Sequence, residues 1–427
     1  MSFERSGHET AGAAFRMREN SSLTSGRDAK ARPPHARRRA GRLRVCVVTG
    51  SRADYGALRA LLTALRQDRA FAVQVVASAM HLAQEFGHTL REIEADGFHV
   101  DAKVDMLLAA DSGAAATRSL GVGAIGFADV FERIKPDMIV VSGDRFETLA
   151  AAAAALLARI PIAHISGGDV TEGAFDDAIR HAITKMAHLH FTASEESRRR
   201  VVQMGEDPRR VFAVGDPELD TLFQTKLLGR AALERDIGFR FRARNLLVTF
   251  HPVTLDRMPS TRQFEIVLDA LASLGPDVGL LFTRPNADPE GRALAATLES
   301  FVARHPNAAA YASLGRERYL SAMSVCDAVV GNSSSGLVEA PSLRKPAINI
   351  GSRQDGRPRA GSVIDCAVET RAIRRAIAKA FAMRVGRVSN PFGDGHAAKR
   401  ILRVLRRIED PATLLRKSFR DLAPARD

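Results

Sequence analysis

Short polar stretches, each placed directly after a short apolar run, hold the side chains that could do chemistry. In the first half of the chain these are Gly50-Ser51-Arg52-Ala53-Asp54-Tyr55-Gly56, Ser142-Gly143-Asp144-Arg145-Phe146-Glu147 and His164-Ile165-Ser166-Gly167-Gly168-Asp169. Asp176-Asp177-Ala178-Ile179-Arg180-His181 follows. At helical spacing Asp176 and Arg180 are i,i+4 neighbours, as are Asp177 and His181, so one helix presents acids, a cation and a base. Alone, such pairs are solvated salt bridges, and alone Asp144 reads as the N-cap of the helix behind it. Together, the carboxylates of Asp144, Asp169, Asp176 and Asp177 supply the paired acid and base groups that proton abstraction and return on a sugar require.

The remaining stretches suit a nucleotide. Backbone N–H groups at the helix start after Gly50 can hold a phosphate, and Arg52 can add a bidentate guanidinium. The loop is neither a Walker loop nor a GxGxxG turn, so neither a P-loop ATPase nor an NAD enzyme is supported. Further along come Phe250-His251-Pro252, Arg284-Pro285-Asn286-Ala287-Asp288, Gly331-Asn332-Ser333-Ser334-Ser335-Gly336 and Gly351-Ser352-Arg353-Gln354. The Ser333 and Ser334 hydroxyls at a helix start suit a diphosphate, and Glu339 can accept from a ribose hydroxyl pair. Gly, Ser, His and Arg loops in both halves point to a nucleotide-sugar site.

Apolar runs of four or five residues between helices of 10–20 residues indicate parallel sheets covered on both faces. The pattern predicts strands at 45–49, 73–77, 138–141, 162–165, 190–193 and 211–214, with helices at 56–66, 82–96, 115–135, 148–159 and 176–188. A second cycle follows the polar stretch 224–244, with strands at 245–250, 278–283, 328–330 and 347–350. Its helices fall at 260–274, 294–304, 316–324, 336–342, 372–383 and 396–407. The expected architecture is α/β: two doubly wound Rossmann-like domains, 44–230 and 231–390, with a cleft between them and a closing segment, 391–427, that returns to the first.

Composition excludes several other classes. The 427 residues are 45% hydrophobic and 26% charged, enough for two domains with real cores and unlike a disordered chain. The longest apolar run, 149–157, is far shorter than the roughly 20 residues of a membrane span. Cys46, Cys326 and Cys366 are scattered without CxxC spacing, which speaks against a disulfide framework and a zinc site and for a reducing cytoplasm. The net charge is +13, but residues 1–44 carry eleven Lys/Arg against four acids, so over half the excess sits there. No aromatics interleave with those cations, so no nucleic-acid partner is expected. Residues 1–43 read as a disordered basic tail without the apolar core of a secretory signal, and Met17 is an alternative start.

The ordered stretches SRADYG (51–56), GDRFE (143–147), HISGGDVTEGAFDDAIRHAITKM (164–186), HPVT (251–254), NAD (286–288), GNSSSGLVEAPS (331–342) and NIGSRQDGRPRAGSVID (349–365) resemble the hydrolysing UDP-N-acetylglucosamine 2-epimerases of bacterial sialic-acid biosynthesis. The resemblance spans about residues 44–408 and implies the second glycosyltransferase (GT-B) fold type, with no metal and no nicotinamide or other cofactor. It places Arg52, His251, Asn286, Ser333, Ser334, Glu339 and Arg353 around UDP. Asp144, Arg145, Asp176, Asp177, Arg180 and His181 fall on the sugar and catalytic side, where His164 and Asp169 are also candidates. At Ser166 the family pattern has Glu or His, and here a neutral hydroxyl stands. Either Asp169 takes over part of that role or the sugar differs.

The implied reaction is elimination of UDP with loss of the C2 proton, giving a 2-acetamidoglucal, then addition of water at C1 and return of a proton to the opposite face of C2. The product is N-acetylmannosamine. The same chemistry on UDP-2,4-diacetamido-2,4,6-trideoxyglucose or its GDP-linked analogue is the first alternative, and a GT-B glycosyltransferase the second. A non-catalytic nucleotide-sugar sensor is a third, against which the density of carboxylates speaks. The expected partner is the nucleotide sugar, with neither membrane nor nucleic acid, and a homo-oligomer (dimer or tetramer) is expected.

Overall fold

The computed structural model describes residues 41–108, 112–172, 174–253, 255–285 and 290–421. Of the tail read as 1–43, residues 1–40, Met17 among them, lie outside the described residues, and Leu43 already opens the first strand. In chain order the first half runs β1 (Leu43–Thr49), α1 (Arg52–Gln67), β2 (Phe71–Ser78), α2 (Leu90–Ala95), β3 (Ala102–Val104), α3 (Gly113–Ile134) and β4 (Met138–Ser142). It continues with α4 (Phe146–Leu157), β5 (Ile162–Ile165), α5 (Asp176–Met186), β6 (Leu189–Thr192), α6 (Glu195–Gln203) and β7 (Val211–Ala213). After α7 (Pro217–Gln224) and α8 (Arg230–Ile237) come β8 (Arg244–Thr249), α9 (Ser260–Ala272), β9 (Val278–Thr283), α10 (Gly291–Val302), β10 (Ala308–Tyr311) and α11 (Gly315–Val325). The chain closes with β11 (Ala328–Gly331), α12 (Ser335–Val338), β12 (Ala347–Ile350), β13 (Val363–Cys366), α13 (Thr370–Ala382) and α14 (Ala397–Leu405).

The strands form two parallel sheets, β3-β2-β1-β4-β5-β6-β7 and β10-β9-β8-β11-β12-β13. The alternation inside β1 shows why its run is wholly apolar. Val45 and Val47 face one buried layer with Leu58, Leu61 and Leu65 of α1, while Cys46 and Val48 face the other with Phe127 and Ala151. In the second sheet Leu246 and Val248 point to the α9 and α13 side, and Leu247 to the α11 side. Both faces of each sheet are covered, so no strand needs a polar side. In each sheet the strand order reverses once, at β1/β4 and at β8/β11. There the outgoing loops diverge and leave a crevice.

Three differences from the sequence pattern have local causes. The helix expected over 82–96 is broken into one 3₁₀ turn (Gln84–Phe86) and the short α2, because Gly87 takes a left-handed φ of 86° that ends the turn. Edge strands β3, β10 and β13 are only three or four residues long, too short to stand out. Helix α8 lies inside the polar stretch 224–244 and buries only Leu233. No helix among the described residues is long and apolar enough to cross a membrane.

The last helix belongs to the core of the first sheet. Ala397, Ala398, Ile401 and Leu405 recur at helical spacing and are buried with β1 and α1. The Asp220 carboxylate in α7 accepts from the Ala397 N–H (2.8 Å) and from the Ala398 N–H, satisfying the open amides of its first turn.

Candidate active site

A cavity of about 710 Å³ opens between the two sheets and is lined by Arg52, His251, Ser333, Ser334, Glu339 and Arg353. Asn286 lies outside the described residues. In the α1 turn the Gly50 and Ser51 N–H groups both donate to the Asp54 carboxylate, at 2.8 and 2.7 Å. What the loop gives the cavity is the Arg52 side chain, which donates to Ser313 (3.1 Å) and lies 5.8 Å over the Tyr319 ring. Burial lowers the pKa of Arg52, against the pull of Glu92. Glu339 is 2% exposed and pairs with Arg316 at 2.8 Å. Burial raises its carboxyl above the ordinary range, with Arg316 and Arg52 opposing. Several guanidiniums converging on one partly desolvated cavity suit a diphosphate.

The buried Asn332 side chain ties the two strand ends of the second sheet together. It accepts from the His251 N–H at 2.7 Å and donates to the His251 carbonyl at 2.8 Å. Its own carbonyl receives Arg353 (3.2 Å) and Gln354 (2.8 Å). Gly331 makes this approach possible: it sits at φ 135°, and a Cβ there would collide with the Thr249 carbonyl.

A second cavity of about 160 Å³ adjoins the first and is lined by Asp144, Arg145, Ser166, Asp169, Asp176 and Arg180, with Asp216 and Arg357. Asp144 is not the cap of α4: Arg145 occupies that position, and Asp144 instead pairs with Arg180. Arg180 is 1% exposed and also donates to Asp177 (3.1 Å), Thr171 (2.8 Å) and the Asp169 carbonyl (2.9 Å). Its pKa is pulled well down by burial and by Arg357, Arg353 and Arg200. Asp169 accepts from Ser197 at 2.6 Å, and burial raises its carboxyl. Ser166 takes a left-handed φ of 63°, a conformation a non-glycine residue keeps only when its surroundings enforce it.

Three sequence candidates stand behind this wall. His164 is fully buried and lines neither cavity. Its ring shares hydrogen bonds with the Gly143 carbonyl (2.8 Å) and Thr184 (3.2 Å), and burial lowers its pKa to about 4, so it stays neutral and positions the Asp144 loop. Asp177 accepts from the Thr171 N–H at 2.7 Å and braces Arg180, and His181 lies 3.5 Å from Asp177. Sequence reasoning quoted Asn332 and Arg357 within its stretches without giving them a role, and passed over Arg316, Tyr319, Asp216 and Glu218. Gly215-Asp216-Pro217-Glu218 directly follows the run 211–214 and carried the same strand-end signal as the loops that were noted.

Residues 63–406 match the family model described as UDP-N-acetylglucosamine 2-epimerase. The chain belongs to this family. Its members similar to this chain include the hydrolysing GDP/UDP-N,N'-diacetylbacillosamine 2-epimerase of Campylobacter jejuni, 35% identical over 89% of this chain and 99% of that one. The hydrolysing UDP-N,N'-diacetylbacillosamine 2-epimerase of Legionella pneumophila is 34% identical, covering 88% and 98%. Polysialic acid biosynthesis protein P7 of Escherichia coli is 35% identical, covering 88% and 96%. The hydrolysing branch of the epimerase family is therefore the right one. Among solved structures, UDP-GlcNAc 2-epimerase from Neisseria meningitidis bound to UDP-GlcNAc superposes with a TM-score of 0.73 at 19% identity, over 85% of this chain and all of that one. The epimerase fold is the GT-B-type pair of Rossmann-like units seen here.

Proposed function

We propose that this chain is a hydrolysing 2-epimerase that converts UDP-2,4-diacetamido-2,4,6-trideoxyglucose (UDP-N,N'-diacetylbacillosamine) and water to UDP and the C2-inverted diacetamido sugar. The observation that carries the sugar is the pair of relatives named for diacetylbacillosamine, which align at 34–35% identity over 98–99% of their own lengths. The Neisseria meningitidis relative named for UDP-N-acetylglucosamine, the substrate the sequence reading put first, aligns at 29%. The polysialic-acid relative at 35% favours a second reading, the same chemistry on UDP-N-acetylglucosamine. The neutral hydroxyl of Ser166 in the carboxylate cavity is in keeping with a sugar other than N-acetylglucosamine.

In this reading the diphosphate lies among Arg52, Arg316, Arg353 and His251, and the sugar reaches toward Asp144, Asp169 and Asp176. A carboxylate on that side removes the C2 proton while UDP departs from C1, its charge taken up by the guanidiniums. Water then adds to C1 of the resulting 1,2-ene, and an acid on the opposite face returns a proton to C2. Turnover of each candidate UDP- and GDP-linked sugar in D2O tests the reading. The expected products are UDP and a C2-inverted diacetamido sugar bearing deuterium at C2. Turnover of UDP-N-acetylglucosamine alone selects the second reading, and a C2 that keeps its proton refutes elimination.

A further inference from the structure

The bond broken in this reaction has to lie where the nucleotide-side and carboxylate-side cavities meet. Ala53, Glu218, Ser334 and Arg353 line both, and Glu218 is the one acid among these four. It is the second residue of α7, and its backbone is held at both ends. The N–H donates to the N-cap Asp216 at 2.9 Å, and the carbonyl receives Arg316 of the other half at 2.6 Å. Arg316 pairs in turn with Glu339. The charges of Glu339, Arg316 and Arg357 act on the carboxyl. Burial, reinforced by Glu339, pushes it up to about 7 against the pull of the two guanidiniums. A carboxyl that titrates near neutrality can both give a proton and take one back.

Resting on the epimerase reading, we propose that Glu218 is the acid–base group at the anomeric carbon. In the elimination step the C1–O bond breaks, its electron pair goes to the UDP oxygen, and the Glu218 proton passes to the departing diphosphate. The C2 proton leaves separately, to a carboxylate of the Asp144 cavity, and its bonding pair becomes the 1,2 double bond. In the hydration step a water oxygen bonds to C1 and gives its proton to the Glu218 carboxylate. The double-bond electrons take a proton at C2 from an acid on the other face. Glu218 ends the cycle protonated, as it began.

The test is Glu218→Gln, which keeps the shape and a hydrogen-bond donor but transfers no proton. UDP affinity should stay within a few-fold of the parent. Elimination should continue more slowly, since Arg52, Arg316 and Arg353 still support the leaving group. Hydrated sugar should fall on the order of 10²-fold or more, and UDP should appear with the unsaturated sugar, one water lighter and bearing an olefinic C1 proton by NMR. Glu218→Asp should restore part of the hydrated product. Parental yields of hydrated sugar from Glu218→Gln, or loss of both products together with UDP affinity, overturn the assignment. Calorimetry of UDP binding at pH 8 in buffers of different ionisation heat is independent of turnover. The parent should take up a proton that Glu218→Gln does not, and equal uptake by both overturns the proposal. Failure of the parent to turn over any candidate nucleotide sugar would count against the epimerase reading, while the proton-uptake comparison still decides on Glu218.

Discussion

Replacing Asn332 with alanine separates the scaffold of the nucleotide site from its chemistry. The Asn332 side chain is completely buried and makes two hydrogen bonds to one residue, accepting from the His251 N–H at 2.7 Å and donating to its carbonyl at 2.8 Å. Alanine removes both of these hydrogen bonds. Each orphaned buried polar group costs about 1–3 kcal/mol. The two are adjacent and one water can serve both, so the pair should cost roughly 2–4 kcal/mol. For domains of this size about 2–4 °C of melting temperature goes with each kcal/mol, so the apparent Tm should fall by roughly 4–16 °C. The loop carrying His251 would lose its register, and turnover should drop on the order of 10²-fold. Thermal melts with and without UDP, alongside UDP titrations, read both effects. A variant that melts with the parent and binds UDP as tightly would refute the role assigned to this amide.

Three further outcomes follow from the same site. His251→Ala should lower turnover on the order of 10²-fold; near-parental kinetics would return the imidazole to a packing role. Asp144→Asn should cut turnover sharply while UDP affinity, measured by calorimetry, stays close to the parent. It should also lower stability, since Arg180 loses a charged partner in a buried setting. Asp216 has its carboxyl raised from 3.8 to about 8 by burial and by Glu218. The unfolded chain therefore ionises first, and stability through this group falls as pH rises from about 4 to 8. Asp216→Asn keeps an acceptor for the Glu218 N–H, so its stability relative to the parent should rise across that window in urea titrations, and a flat difference would refute the shift.

The sheets were readable because burial on both faces forces runs such as VCVVT and IVVS, which have few other uses. The loops were readable because parallel strands put their carboxyl ends on one side, so Asp144, Ser166, His251 and Ser333 had to share it. What escaped depends on pairings that no local pattern encodes. Asn332 bonds to a backbone 81 residues earlier, and Arg316 reaches the carbonyl of Glu218 from the other half. In the first loop Asp54, four residues past Gly50, takes the Gly50 and Ser51 amides within its own turn. His164 and Asp177 carry the right side chains, yet His164 is buried against the Gly143 carbonyl and Asp177 braces Arg180. Residue type named the chemistry, while tertiary pairing decided which copies of each type line the cavity.

The place of α14 has a consequence for how the protein is made. Its apolar face completes the buried layer over β1 and α1, and the chain beyond it stays on the same half: Lys417 bonds to Glu206, and the Arg420 N–H donates to the Gly205 carbonyl. During synthesis every strand of the first sheet leaves the ribosome long before this cover does. Leu58, Leu61 and Leu65 therefore wait, partly uncovered, while the whole second sheet is translated. The second sheet, with all its strands between Arg244 and Cys366, has its own layers available earlier and can reach its native form first. The half that begins the chain is thus the half that finishes folding last, and a fragment ending before residue 397 would expose an unfinished face that invites aggregation.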